Sequence, residues 1–563
     1  MRALLLTFPG ARADLVEPYL VDGTMRYLAL LASNGVVAEY MVGVDPPAPA
    51  VSHISLATGS RPRATGIVGE RFRRLGQPLE PASQAADAPS NVPPIWAWDP
   101  RQDQPDALLF WPAAGVADSA PLALQLSAPL AAPASLRVDL GATPWPTNTL
   151  PASFSPPRAG RAPIKDDRGQ TLAVLAVALI DSSNDDIVGY NSVELALLDP
   201  QESRPPAFQS AAHGAWTVLA LPGRPTAGIA FKVGRLDSTT LTIEQSAAIE
   251  LTSRPAELAG EVVSHLGPPV PAPERAGLQP ADYLALAGRR LQWQAATIGY
   301  VQERYAPRLT LASLDVIGLA SSVAIPATPI DPYEPRLRSV YQMADQALGR
   351  LLAGLDLSRA TIVIGSPYGY AGADVAVNVS ALLDKLAPPA GGRRLFAVYS
   401  SGGMAHIVLN LVDREPAGSI GPGEYNRLLI ELSKRLSEFT LDGRPVFERV
   451  LAGDERRPIG LDSPNSGDII VQAAPGVLLV ESDPGGQKRL SWPVKEAATG
   501  YSARQPAMRG FLVMAGPPVA ARGLVEPVEL VDVAPTLAEI LGMHIPPAVE
   551  GRPLRELLRA ADR

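Results

Sequence analysis

Short apolar runs alternate with helical spacing along most of this chain. LASLDVIG (Leu311–Gly318) and TIVIGSPYGYA (Thr361–Ala371) are each apolar until they end in small or polar residues, the pattern of a buried parallel strand. Ala3–Thr7 reads as a first core strand that stops at Phe8-Pro9-Gly10. Thr24–Ser33 has helical spacing and ends at Asn34-Gly35, a good stop signal. Val36–Val42 and Ala107–Trp111 read as strands, and a helix can start at Ser52. After the proline-rich stretch Pro268–Pro273, helices over Ala281–Tyr305, Tyr333–Leu352, Val377–Leu386, Glu424–Phe439 and Val531–Leu541 alternate with strands. Those strands cover Leu309–Ile317, Ala360–Gly365, Leu395–Ser400, His406–Leu411, Asp468–Ala473, Val477–Glu481 and Phe511–Ala515. Such alternation predicts an α/β fold with a mostly parallel sheet and helices on both faces.

From Ala117 to Leu266 the period changes. Ser135–Leu140, Thr171–Ile180, Ser192–Leu198, Trp216–Leu221, Ala227–Val233 and Thr239–Glu244 are strand-like, with Gly, Pro, Asn and Asp between them. This spacing suggests an inserted β-rich lobe, sandwich or barrel-like. The expected organisation is a discontinuous core over residues 1–116 and 267–563, with a small α/β subdomain near 390–485 and the lobe over 117–266.

Composition narrows the function classes. A chain of 563 residues exceeds one compact core. The net charge of −8 argues against nucleic acid as a main partner, since phosphate backbones need a basic face. With no cysteine, disulfides, thiolate catalysis and zinc–cysteine sites are excluded. No apolar run reaches the roughly 20 residues that span a bilayer. The first residues, MRALLLTFPGARAD, lack the long apolar stretch of a signal peptide, so a cytoplasmic protein is expected.

Several pieces in order resemble the type I phosphodiesterase / nucleotide pyrophosphatase family of the alkaline phosphatase superfamily. They are LLLTFPGAR (Leu4–Arg12), YMVGVDPPAPAVSHISLATGSRPRATGIVGERF (Tyr40–Phe72), PPIWAW with LLFWPAAG, SLDVIG (Ser313–Gly318), the segment Ala344–Gly369, and VELVDVAPTL followed by EGRPL. The resemblance implies an alkaline phosphatase-like fold and two divalent metal ions, usually zinc, flanking a Thr or Ser nucleophile at the strand ends. Carried over position by position, the opening Asp falls on Pro9 and the nucleophile on Pro49. The Asp and His of the next motif fall on Asp315 and Leu319. The Asp-His pair of the following motif falls on Pro367 and Tyr368, and the late His on Thr499. Only Asp315 keeps its residue type. Proline and leucine offer no ligand atom, and the hydroxyls of Tyr368 and Thr499 are weak ligands at neutral pH. The framework residues Thr58-Gly59, Gly318, Gly369 and Asp532–Leu537 still match the pattern.

These residues lead to an expected non-catalytic family member with no cofactor, which binds an unidentified ligand or protein partner. An active phosphoesterase with a rebuilt site, and an assembly protein using the β-rich lobe, are the alternatives. Arg61 and Arg63 are candidate anion-binding residues, though such arginines are usually solvated. Asp45, a proline-flanked loop acid, reads as solvated rather than nucleophilic. The glycine-rich Gly365–Asp374 could face an anion with its N–H groups, but reads better as a strand-to-helix turn. The histidines His53, His213, His265, His406 and His544 are scattered along the chain; His53 reads as a core residue at a helix start.

Overall fold

The computed structural model describes residues 2–99, 104–113, 115, 119–146, 149–185, 187–202, 207–236, 239–274, 278–324, 331, 334–388, 393–520 and 523–559. Ala117 and Tyr333, where the sequence starts the lobe and a helix, lie outside them. The chain divides into two compact units, Met1–Pro121 with Val301–Arg563, and Leu122–Tyr300.

The first unit is built on a sheet of strands β1 (Arg2–Thr7), β2 (Gly35–Ala38), β3 (Ala107–Leu109), β4 (Leu309–Ser313), β5 (Ala360–Gly365), β6 (Leu512–Ala515) and β7 (Gly523–Val525). Their order is β3-β4-β1-β5-β6-β2-β7. All pairs are parallel except those made by β6, which runs antiparallel to β5 and β2. β1 is central, with Leu5 opposite Leu311 on one side and Val363 on the other. Leu4, Leu5 and Leu6 are 3, 2 and 0% exposed. Both faces of this strand are covered, so its run is continuously apolar rather than alternating. Each such buried leucine contributes about 1.5–3 kcal/mol.

Helix α1 (Pro49–Thr58) lies in the connection between β2 and β3. It starts three residues before Ser52. Proline is favoured at the first helical position, where its missing N–H costs nothing, and the Ser52 hydroxyl instead accepts from the Ala48 N–H at 3.2 Å. The helix stops at Gly59, whose φ of 61° is left-handed, the usual glycine stop. A strand runs over Ala371–Asn378, and a helix begins only at Val379. Asn378 caps that helix by accepting from the Ala381 N–H at 3.0 Å. Gly365–Asp374 therefore joins strand to strand, not strand to helix.

A smaller sheet in this unit has the order Phe396–Ser400, Met404–Leu409, Ile469–Ala473, Phe447–Ala452. The helices Val379–Leu386 and Pro422–Ser437 contribute Leu383, Leu432 and Leu436 to its core, beside Leu409 and Val471. The second unit holds two antiparallel sheets. One pairs Trp216–Leu221, Arg224–Leu236, Thr240–Arg254 and Leu122–Leu126, with Ala134–Asp139 beside Thr240–Arg254. The other runs through Gln209–Ala211, Ser192–Leu198, Thr171–Ile180, Arg158–Lys165 and Gly141–Ala142. Leu175 and Val177 of one and Phe231 and Ile243 of the other share one buried cluster, the construction of a sandwich.

Candidate functional site at the strand ends

β1, β4 and β5 all stop at the same edge, with Thr7 opposite Ser313 and Gly365. In open α/β sheets this carboxyl edge is where ligands bind. Thr7 is 1% exposed, and its hydroxyl lies 3.2 Å from His53 Nε2. His53 Nδ1 is 2.6 Å from the Pro49 carbonyl. A carbonyl only accepts, so Nδ1 carries the proton, Nε2 accepts and Thr7 donates. Burial pushes the His53 pKa down to about 4, which keeps the ring neutral at pH 7. Trp111 meets that ring edge-on at 4.7 Å, and Tyr368 at 6.1 Å.

Tyr368 closes this edge. It is 2% exposed, and its pKa is driven well above the usual phenol value by burial, then by Tyr370, Glu70 and Asp315. Its carbonyl accepts from the Gly10 N–H at 3.1 Å. The ring of Tyr370 lies over Gly10 and Gly318: a Cβ at Gly10 would meet it at 2.4 Å, and one at Gly318 would meet its hydroxyl at 3.4 Å. Glu70 fills the helix end. Its Oε1 accepts from the N–H groups of Ala50 at 2.8 Å and Val51 at 3.3 Å, in the first turn of α1. A helix N-terminus favours negative charge, yet burial dominates and lifts the Glu70 pKa to about 7. The Glu70 N–H donates to Ser401 Oγ at 2.9 Å.

The remaining sequence-selected positions have plain roles. Pro9 and Pro367 are buried. Asp315 is half-buried in the turn after β4, and its carbonyl accepts from Leu319 N–H at 2.9 Å. The Thr499 carbonyl accepts from Gly403 N–H at 2.8 Å, and Gly500 donates to the Pro47 carbonyl at 2.9 Å. Contacts therefore join Pro49, His53, Thr7 and Tyr368, and Tyr368 continues them to Gly10 and Tyr370, with Gly318 under the Tyr370 ring. Arg61 and Arg63 follow the far end of α1. Arg61 pairs with Glu529 at 3.2 Å and Arg63 with Glu550 at 2.6 Å. The N–H groups of Ser366 and Gly369 are bonded to the carbonyls of Phe511 and Met508, so they do not face an anion. Asp45 is not solvated: it is 7% exposed, accepts from Ala503 N–H at 2.8 Å, and burial raises its pKa to about 6.

Sequence reasoning missed Thr7, Glu70, Trp111 and Tyr370. Thr7 and Trp111 carried a signal, each as the last residue of a strand the sequence predicts. Glu70 reaches the start of α1 from about twenty residues away, which no spacing rule anticipates.

The parallel core with chemistry directed to one sheet edge defines an alkaline phosphatase-like fold. The profile of the family "Type I phosphodiesterase / nucleotide pyrophosphatase" matches residues 3–173 and 254–501, and the chain belongs to that family. Murine ectonucleotide pyrophosphatase/phosphodiesterase 5 is similar at 12% identity and a TM-score of 0.52, over 99% of this chain and 100% of that one. The human protein of that name gives 12% and 0.51, with 100% of each chain covered. Phosphonoacetate hydrolase from Sinorhizobium meliloti 1021, in complex with phosphonoformate, gives 12% and 0.52, with 96% of each covered. At this identity the likenesses speak to the fold alone. A comparison with curated proteins finds no match.

Family membership corrects the expectation of no cofactor, because the family is metal-dependent: divalent charge stabilises the attacking and leaving oxygens in its reaction. The side chains gathered at this edge do not fit such a pair. Among the described residues no three His, Cys, Asp or Glu side chains converge as a metal group. Both His53 nitrogens are engaged. His213, His265 and His544 are exposed, and His406 accepts from Gly467 N–H at 3.0 Å. No helix among the described residues is long and apolar enough to cross a membrane.

Proposed function

We propose that this chain is a non-catalytic member of its family that acts by binding a ligand or a protein partner. The reading rests on the closure of the strand-end edge. Tyr368, at 2% exposure, packs on His53, and Glu70 takes the first N–H groups of α1. By the family resemblance the nucleophile falls on Pro49, which has no nucleophilic atom. In this reading Pro9, Pro49, Leu319, Pro367 and Thr499 are framework positions.

A phosphoesterase assay with zinc, manganese and magnesium each supplied tests it, since the family is metal-dependent. Turnover of p-nitrophenyl phosphate and bis-p-nitrophenyl phosphate should not exceed that of Asp315→Ala. Metal-dependent turnover that Asp315→Ala removes would end the reading.

A second reading, a rebuilt phosphoesterase, has one observation in its favour. The Thr7 hydroxyl donates to a neutral His53 that is oriented by the Pro49 carbonyl, a nucleophile–base–orienter geometry. Both residues are at most 1% exposed, which weighs against it. Turnover abolished by Thr7→Val would favour it.

A further inference from the structure

The first unit holds a cavity of about 470 Å³ beside the smaller sheet, a size that suits a small molecule. Its charged lining includes Arg71, Arg394, Glu80 and Glu481, and residues Leu395–Val398 form a mostly apolar wall. Arg71 is anchored from behind. Glu481 Oε1 accepts from the Ser400 N–H at 2.8 Å, and its Oε2 meets Arg71 Nη1. Arg394 is steadied by a bond from Nε to the Phe396 carbonyl at 3.3 Å.

Between these two guanidinium groups sits the Glu80 carboxylate. It lies 3.9 Å from Arg71 and 3.4 Å from Arg394, and its side chain is 42% exposed. Long, exposed pairs of this kind hold weakly. Glu80 thus marks where an anion fits; a ligand phosphate has to displace these two pairs and the exposed bond that Glu80 Oε2 accepts from the Ala82 N–H at 3.1 Å. A phosphate presents more acceptor oxygens and more charge than a carboxylate, and guanidinium forks bind it bidentately. The other polar lining groups, Ser380, Asp384 and Ser482, are the donors and acceptors that pair with hydroxyls. The third arginine, Arg393, is held by Glu424 at 3.0 Å. Asp384 has a distant partner in Lys488 at 4.0 Å.

We propose that this cavity binds a phosphorylated polyol, with its phosphate replacing Glu80 between Arg71 and Arg394 and its hydroxyls meeting Ser380, Asp384 and Ser482. The proposal does not depend on whether the strand ends catalyse.

Isothermal titration of the full chain with glucose 6-phosphate tests it, with inorganic phosphate and glucose as separate arms. Glucose 6-phosphate should bind more tightly than either. Glu80→Gln should tighten binding severalfold by removing the competitor, and Arg394→Ala should weaken it by about tenfold or more. Arg394 is 49% exposed, so this variant should fold even if Arg71→Ala does not. Arg394→Lys, which keeps the charge but loses the fork, should fall between wild type and Arg394→Ala. Absence of binding to Glu80→Gln at millimolar ligand, or unchanged binding in Arg394→Ala, would overturn the site. Inorganic phosphate binding as tightly as glucose 6-phosphate would overturn the polyol assignment.

Discussion

His53 and Glu70 both bond to the first turn of α1, His53 to the Pro49 carbonyl and Glu70 to the Ala50 and Val51 N–H groups, and they are opposite in chemistry. One is an imidazole held neutral by burial, and the other is a carboxyl held protonated to unusually high pH. Their linkage to stability has opposite signs. The folded pKa of Glu70 is raised from 4.5 to about 7. Between these values the folded state binds more protons, so its contribution is present at low pH and is lost as pH rises towards 7. The folded pKa of His53 is lowered from 6.5 to about 4. Its contribution is present above 6.5 and is lost as pH falls towards 4. The two slopes oppose each other over the shared window, which flattens the wild-type profile. Urea midpoints measured against pH should separate them. Glu70→Gln should leave a chain that loses stability more steeply on acidification than wild type. A His53→Gln chain should gain stability on acidification relative to wild type. Parallel profiles for all three chains would contradict these roles.

At the level of elements, the turn after β1 and the turn after β5 lock together. Gly10 has a φ of +87°, and its Cβ position is already taken by the Tyr370 ring. Gly10→Ala should therefore destabilise by about 1–3 kcal/mol from overpacking, with the left-handed backbone adding to it. Combining it with Tyr370→Ala should recover part of that loss in a double-mutant cycle, because the clash partner is gone. Strict additivity in urea denaturation would show that Tyr370 is not what Gly10 accommodates. The strands Ala3–Thr7 and Ala360–Gly365 were legible, since an apolar run with small residues at its end has few alternatives, whereas the run Leu309–Ile317 overshot: the strand stops at Ser313 and a helix starts at Val316. The start of α1 was misread at Ser52 because a serine before an apolar run resembles a cap, whereas Pro49 opens the helix. The Val377 start failed for a related reason: Val375-Ala376-Val377 satisfies both periods until its neighbours in the sheet are known.

For the whole molecule, β1 is an interior strand of the first unit, bonded on both sides and buried along Ala3–Thr7. Amide exchange followed by mass spectrometry should be slowest over Leu4–Leu6 and their partners Leu311 and Val363. Faster exchange there than in the helix Pro422–Ser437 would place the stable centre elsewhere. The sequence alone determined the α/β alternation, the change of period into a β-rich stretch, and the family motifs, because these are local properties of hydrophobic spacing and short segments. It also determined that proline and leucine stand where the resemblance places ligands and a nucleophile, since residue type fixes donor chemistry. Only the tertiary structure decided what occupies the strand-end edge. Tyr368 and Tyr370 come from the turn after β5 and Glu70 from a separate segment, brought together through packing and hydrogen bonds between distant residues, and local pattern does not show which of them meet.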